Sequence, residues 1–315
     1  MSFKKLDFQS EFFDLYKLSK GTYGAISKEN SEMGGNAGFI DLGNFTVIVD
    51  TTLSVGAIED LIKASIKYVG KNLFMVVITH FHLDHIIGNS LFDPATLIIS
   101  SDRTKESIKT ESQNRINELK NMSKEEIAKM EANLITEEDE EKRQEIISDL
   151  KFIKKIRSKD FSLRIPNLTF KEKLIIYGKE REIHLCTFKK AHTNGDVIVY
   201  VPNEQILYSG DLLFARCDPW MGSGDPEGWK SVIDQILQLD FNIVVPGHGQ
   251  LASKQEFLLQ KKYITEIVDL VQKQINSGID PIVIKREDFS TEFQEWKGSV
   301  LEWNANFLID FLKKQ

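Results

Sequence analysis

The spacing of apolar and polar positions divides the chain into three stretches. Through the first hundred residues, short apolar runs alternate with turn formers. Residues 38–41 and 45–50 flank Leu42-Gly43-Asn44, the pattern of a β-hairpin. Residues 55–68 carry apolar positions at helical spacing, and the unbroken apolar run 74–78 suits a buried strand. A short strand is predicted at 97–100. Between residues 102 and 160 the pattern changes: Lys, Glu and Arg are dense, and there is neither glycine nor proline. Ile116, Leu119, Met122, Ile127, Met130 and Leu134 form one helical stripe, and Ile147, Leu150, Ile153 and Ile156 form another. Ser123 with Glu126 makes a capping box, and Thr136 with Asp139 a looser version. Strand character returns at 174–177, 182–188, 197–200, 205–208 and 241–245. Helices are predicted at 229–239 and, as a final amphipathic element, at 257–275. Strands alternating with helices indicate an α/β fold in one domain over residues 1–315, with a helical insertion of two or three helices at 102–160.

Composition narrows the function. A net charge of −7 argues against a nucleic-acid binder, which carries a basic footprint. The longest interior apolar run, residues 73–78, is far short of the ~20 residues that span a bilayer. No apolar signal segment opens the chain. Cys186 and Cys217 have no paired spacing, which suits small buried side chains in a reducing, cytoplasmic compartment. The acidic run 137–141 reads as a solvated helix start.

The six histidines carry the chemistry. His80, His82 and His85 lie within six residues, with Asp84 among them. His192 opens His192-Thr193-Asn194-Gly195-Asp196, and His248 sits in Pro246-Gly247-His248-Gly249; only His184 lies outside such a setting. His80 and His82 share a side if the strand persists, whereas Asp84 and His85 both face inward only if the chain turns. The motif therefore belongs in a strand-to-helix loop. Imidazole with carboxylate suits zinc, iron or manganese and excludes thiolate-rich structural zinc sites.

These residues resemble the signature of the metallo-β-lactamase superfamily. Its pattern is an aspartate ending an early strand, then H-x-H-x-D-H, then a histidine, an aspartate and a last histidine, each after a strand. Here these fall at Asp50, His80-Phe81-His82-Leu83-Asp84-His85, His192, Asp211 and His248. The resemblance covers roughly residues 23–253 without the insertion. It implies a four-layer αβ/βα sandwich with two metal ions, zinc in the first instance and otherwise iron or manganese. One would be held by His80, His82 and His192, the other by Asp84, His85 and His248, with Asp211 between them. Asp50 would orient the ligand loop, and Asp196 would either act similarly or cap its own loop. A metal-bridged hydroxide would attack the substrate, with Asp84 orienting it and accepting its proton.

The residues around the motif exclude more than they select. Class B β-lactamases carry cysteine or serine in place of Asp211. Acyl-homoserine lactonases place tyrosine where this chain has Phe214, and glyoxalase II adds a C-terminal helical domain. The expected substrate is a small-molecule ester, thioester or amide, with no nucleic acid and no membrane. The alternatives are a mononuclear-iron oxidoreductase similar to persulfide dioxygenases and an RNA-processing nuclease. Trp220 and Met221 are placed either as an apolar wall of the pocket or as a cap on the core. The insertion serves either as a lid or as the contact of a homodimer.

Overall fold

The computed structural model describes residues 3–279, 281–298 and 300–314. Thirteen strands form two sheets among the described residues. The first runs in chain order: β1 (Lys4–Lys5), β2 (Phe13–Ser19), β3 (Thr22–Ser27), β4 (Ala37–Asp41), β5 (Thr46–Val49), β6 (Phe74–Val77), β7 (Leu97–Ser101) and β8 (Leu168–Phe170). The second runs β13 (Ile243–Gly249), β12 (Ile206–Ala215), β11 (Val197–Val201), β10 (Glu182–Thr187) and β9 (Lys173–Tyr177). The predicted hairpin is β4–β5, closed by Leu42 N–H donating to Phe45 O at 2.9 Å, with Gly43 at φ 87°. From β5 to β8 the strands are parallel, which requires crossovers; the helix α1 (Val55–Val69) is the first.

The apolar faces explain the layering. Ile40, Val47, Val49, Val77 and Ile99 of the first sheet meet Ile183, Leu185, Val199, Ile206 and Val245 of the second in a shared core. The outer face of the first sheet packs on α1 through Ile48, Val76, Ile58 and Leu61. The outer face of the second packs on α7 (Pro226–Ile236) and α8 (Lys254–Asn276) through Leu207, Val244, Trp229, Ile233, Tyr263 and Ile267. The result is the αβ/βα sandwich. Gly38 lets the sheets approach: a Cβ there would lie 2.4 Å from the Tyr208 ring, whose hydroxyl donates to Tyr23 O at 2.8 Å.

After the short helix α2 (Leu83–Ile86), the insertion leaves β7 as one continuous helical run. This comprises α3 (Asp102–Ser107), a π turn (Ile108–Ser112) and α4 (Gln113–Asn121); α5 (Lys124–Thr136) and α6 (Glu140–Ile156) follow. The Ser123–Glu126 capping box forms, whereas Thr136 stays inside α5, and Lys142 N–H donates to Asp139 at the start of α6. Ile116, Leu119, Ile153 and Ile156 pack on Ile87, so the predicted stripes turn towards the sandwich. Two expectations are corrected. The helix predicted at 229–239 starts earlier, because Asp225 caps it and Pro226 occupies its first turn. The helix predicted at 257–275 is not the final element: α9 (Leu301–Leu312) follows and buries Ala305 and Leu308 in the outer core, and Phe289, Phe293 and Trp296 surround Tyr263. Among the described residues, no helix is long and apolar enough to cross a membrane.

Candidate metal centre

The seven predicted ligands converge at one edge of the sandwich, each from the end or an irregularity of an element. His80 and His82 follow β6; Asp84 and His85 lie on α2; His192 sits between β10 and β11. Asp211 and His248 come from the neighbouring strands β12 and β13. The register of that pair shifts on either side of Gly210, which sits at φ 51°. The break turns Asp211 into the cluster. His80, His82, His192 and Asp211 form one group that can hold a metal ion, and Asp84, His85 and His248 form a second.

Asp211 is the hub. Its Oδ1 lies 3.1 Å from His85 Nε2, and its Oδ2 lies 3.4, 3.3 and 3.5 Å from Nε2 of His80, His192 and His248. Asp84 Oδ2 lies 3.2 Å from His248 Nε2 and 3.4 Å from His85 Nε2. The outward-facing ring nitrogens are engaged. His85 Nδ1 meets Asp50 Oδ2 at 2.8 Å, His192 Nδ1 meets Trp220 O at 3.0 Å, and His82 Nε2 meets Ser223 Oγ at 3.1 Å. A carbonyl only accepts, so His192 Nδ1 carries the proton, and its Nε2 is the nitrogen turned inward at 3.0 Å from His82 Nδ1. The buried atoms His80 Nε2, His85 Nε2 and Asp211 Oδ1 have no hydrogen-bond partner. Burying polar atoms unpaired is costly, and a cation at their meeting point resolves the cost. The donor set therefore fits divalent metal.

The two carboxylates draw positive charge into the group. Burial pushes the two carboxylates up, but the surrounding histidines outweigh it and hold Asp84 and Asp211 well below the usual carboxylate range. Burial keeps His80 and His82 on the neutral side; for His82 the neighbouring His192 and His80 add to the effect. Burial also opposes charge on His248, but Asp211 and Asp84 raise it to about 9. His85 is raised well above its ordinary value in the same way, by Asp84, Asp211 and Asp50 overcoming burial.

The supporting residues divide into those the motif pointed to and those it did not. Asp50 accepts from Thr79 N–H and Thr79 Oγ, both at 2.8 Å, as well as facing His85. It therefore fixes the loop entering the motif. Asp50 and the β-branched Thr52 both take positive φ, 62° and 59°, a strained turn beside the site. Asp196 accepts only from Thr193, so it caps its own loop. His184 lies apart on β10, 2.8 Å from Glu182. Trp220 lines a cleft at the centre, whereas Met221 is buried in the outer core. Burial pushes the Cys217 thiol in that cleft up to about 12, and Asp218 and Asp211 add to the shift.

Sequence reasoning missed the loop before β4. A Cβ on Gly34 would lie 2.6 Å from Asp84 Cβ, and one on Gly35 would lie 2.4 Å from His85 Cε1. Asn36 ties the same loop to the last ligand strand: its side chain donates to Pro246 O and Gly249 O at 3.0 and 2.9 Å. The start of the insertion was missed as a support too. Ser112 in the π turn donates to Phe81 O at 2.6 Å, and Thr104 donates to Gly195 O at 2.7 Å. The Met33-Gly34-Gly35-Asn36 run was the available signal, since paired glycines beside an asparagine mark a close backbone approach.

The comparison with known sequences settles the family. Residues 31–100 and 116–248, more than half of the chain, match the profile of the metallo-beta-lactamase superfamily. The chain belongs to that superfamily. Its fold is similar to a metallo-beta-lactamase from Pontibacter korlensis, with a TM-score of 0.54 and 14% identity over 84% of this chain and 99% of that one. The crystal structure of VMB-1 at pH 5.5 is similar with a TM-score of 0.57 and 17% identity, over 82% and 98% of the two chains. At such identities the likeness to these metallo-beta-lactamases is one of fold. No curated protein matches the chain. The chain therefore combines the superfamily's hydrolase-like fold with a His/Asp cluster that can hold metal.

Proposed function

We propose that the chain is a dinuclear metal hydrolase, with zinc in both sites, that cleaves a small ester, thioester or amide. In this reading one ion is held by His80, His82 and His192, the other by Asp84, His85 and His248, with Asp211 reaching both. The observation that carries it is the meeting of three buried atoms that make no hydrogen bond, on His80, His85 and Asp211, inside a set of imidazoles and carboxylates. Bound divalent ions supply a lowered water pKa and Lewis acidity at the acyl oxygen.

The chain's own residues do the rest. Asp84 is half-buried and ionised; its carboxylate orients the attacking water and accepts its proton. The water oxygen bonds to the acyl carbon, the bond to the leaving group breaks, and the proton passes from Asp84 to that group. Phe214 stacks on His248, with ring centroids 4.8 Å apart and planes at 6°, which fixes the imidazole. Phe214 and Trp220 give the adjoining cleft an apolar side.

The test is elemental analysis of protein purified without added metal, followed by a panel of ester, thioester, amide, lactone and β-lactam substrates. Two equivalents of zinc are expected, with turnover abolished by chelation and restored by zinc. Full activity in metal-free protein overturns the reading, as does one iron with no zinc, which fits the oxidoreductase instead. A second expectation concerns Asp50, which touches His85 through Nδ1. Replacing it by asparagine is expected to weaken zinc binding about 10–100-fold in titrations of metal-free protein. An unchanged titration would show that Asp50 does not position the ligand.

A further inference from the structure

Three clefts converge on His248. One is lined by charged and polar groups, among them Lys28, Arg216, Gln250 and Glu256. A second holds Phe214 and Trp220 with Arg115 and Lys297 at its margin. The third, about 780 Å³ in volume, lies between the helical insertion and the loops of the first sheet. It reaches Asp84 and His248, and an apolar strip of Leu53, Leu83, Leu119, Met122, Met130 and Phe152 runs along it beside polar groups such as Arg115, Gln144 and Ser148. All of the strip but Leu119 is only partly buried, so the insertion's apolar stripe is not used up by its own packing. Part of it faces an open channel that leads to the candidate centre.

We propose that this channel seats an unbranched acyl chain of the substrate and brings its scissile carbonyl to Asp84 and His248. The proposal rests on the hydrolase reading and names the substrate class that reading leaves open: acyl esters or thioesters of medium chain length. The volume is that of an ordinary ligand cavity, and the apolar strip along its mixed lining offers a seat for a hydrocarbon chain. Two methionines in the wall suit a chain that must slide and bend, because the thioether side chain is unbranched and adaptable. The apolar character of the walls comes largely from α4, α5 and α6. Chain-length preference is therefore assigned to the insertion, and bond cleavage to the sandwich.

The test has a kinetic arm and a binding arm. Acyl thioesters of one leaving group, from acetyl to decanoyl, are turned over by the zinc-loaded protein. Each methylene entering the channel is expected to raise kcat/KM about fourfold until the channel is full. Met130→Trp, which fills the channel from the insertion side, is expected to move the optimum to shorter chains; Ile135→Ala, at a position 82% exposed on α5, should leave the profile as it was. In the binding arm, metal-free protein is titrated calorimetrically with n-octanol and n-butanol. Octanol is expected to bind at least about tenfold more tightly, and Met130→Trp to erase the difference. A flat or falling chain-length profile, or equal affinity for the two alcohols, overturns the channel. Selective octanol binding without turnover of any acyl substrate upholds the channel and overturns the hydrolase reading.

Discussion

Replacing Asp211 by alanine is expected to lower kcat/KM by at least about 10³-fold and to leave the protein unable to retain two equivalents of zinc through dialysis. Four imidazoles point at this one carboxylate, at 3.1 to 3.5 Å. Among the described residues, the centre's other acid, Asp84, pairs only with His85 and His248 of the second group. Its loss leaves the inward-turned nitrogens of His80 and His192 without the carboxylate they face, removing several kcal/mol of electrostatic stabilisation where each 1.4 kcal/mol is about a factor of ten. Asp211→Asn keeps the volume and loses the charge, and it is expected to fall nearly as far. Wild-type turnover and two bound zinc ions in either variant would remove the basis for a shared carboxylate.

The second large effect is predicted at a residue with no side chain. A Cβ on Gly247 would lie 1.9 Å from Asp211 Oδ1, and 2.7 Å from both Asp211 N and Gly210 C. Two of these neighbours are backbone and the third is the buried hub, so nothing flexible can give way. Gly247→Ala is expected to cost about 1–3 kcal/mol of stability by overpacking. Displacing Asp211 by as little as ~1 Å is worth about 10²-fold in turnover. The comparison is Gly278→Ala, where φ is 68° and nothing lies within 4 Å of the added carbon. That variant should lose about 1 kcal/mol through backbone strain and keep wild-type turnover. Equal kinetics in the two variants would mean that Gly247 matters only for folding.

Much of this architecture was legible because it rests on local signals. The β4–β5 hairpin, α1, α6 and α8 declare themselves through turn residues, period and caps. Ligand identity was legible for a different reason: His and Asp are the side chains that do the chemistry, so their spacing survives in the sequence. What stayed hidden depends on groups far apart in the chain. Gly34 and Gly35 matter because Asp84 and His85 press against them, and that contact has no trace in local sequence. Asn36 reaches the backbone around His248 across more than two hundred residues, and an asparagine in a turn gives no warning of it. The C-terminal region escaped because its aromatic residues follow no clean period; they are placed by Tyr263 and the Arg286–Asp218 ion pair. Met221 and Trp220 are adjacent in sequence, and only the turn of the chain decides which enters the core.

The centre takes residues from both sheets: His80, His82, Asp84 and His85 from the first half of the chain, and His192, Asp211 and His248 from the second. An ion shared by those groups is a cross-link between halves that Asn36 already ties together at that edge through the backbone around His248. Its binding free energy would add to folding stability by mass action, so the melting temperature should track the supply of zinc. It also sets an order of events. The last ligand is unavailable until β13 has paired with β12. A chain arrested before that point has no complete pocket for the ion, so metal capture would mark the completion of folding.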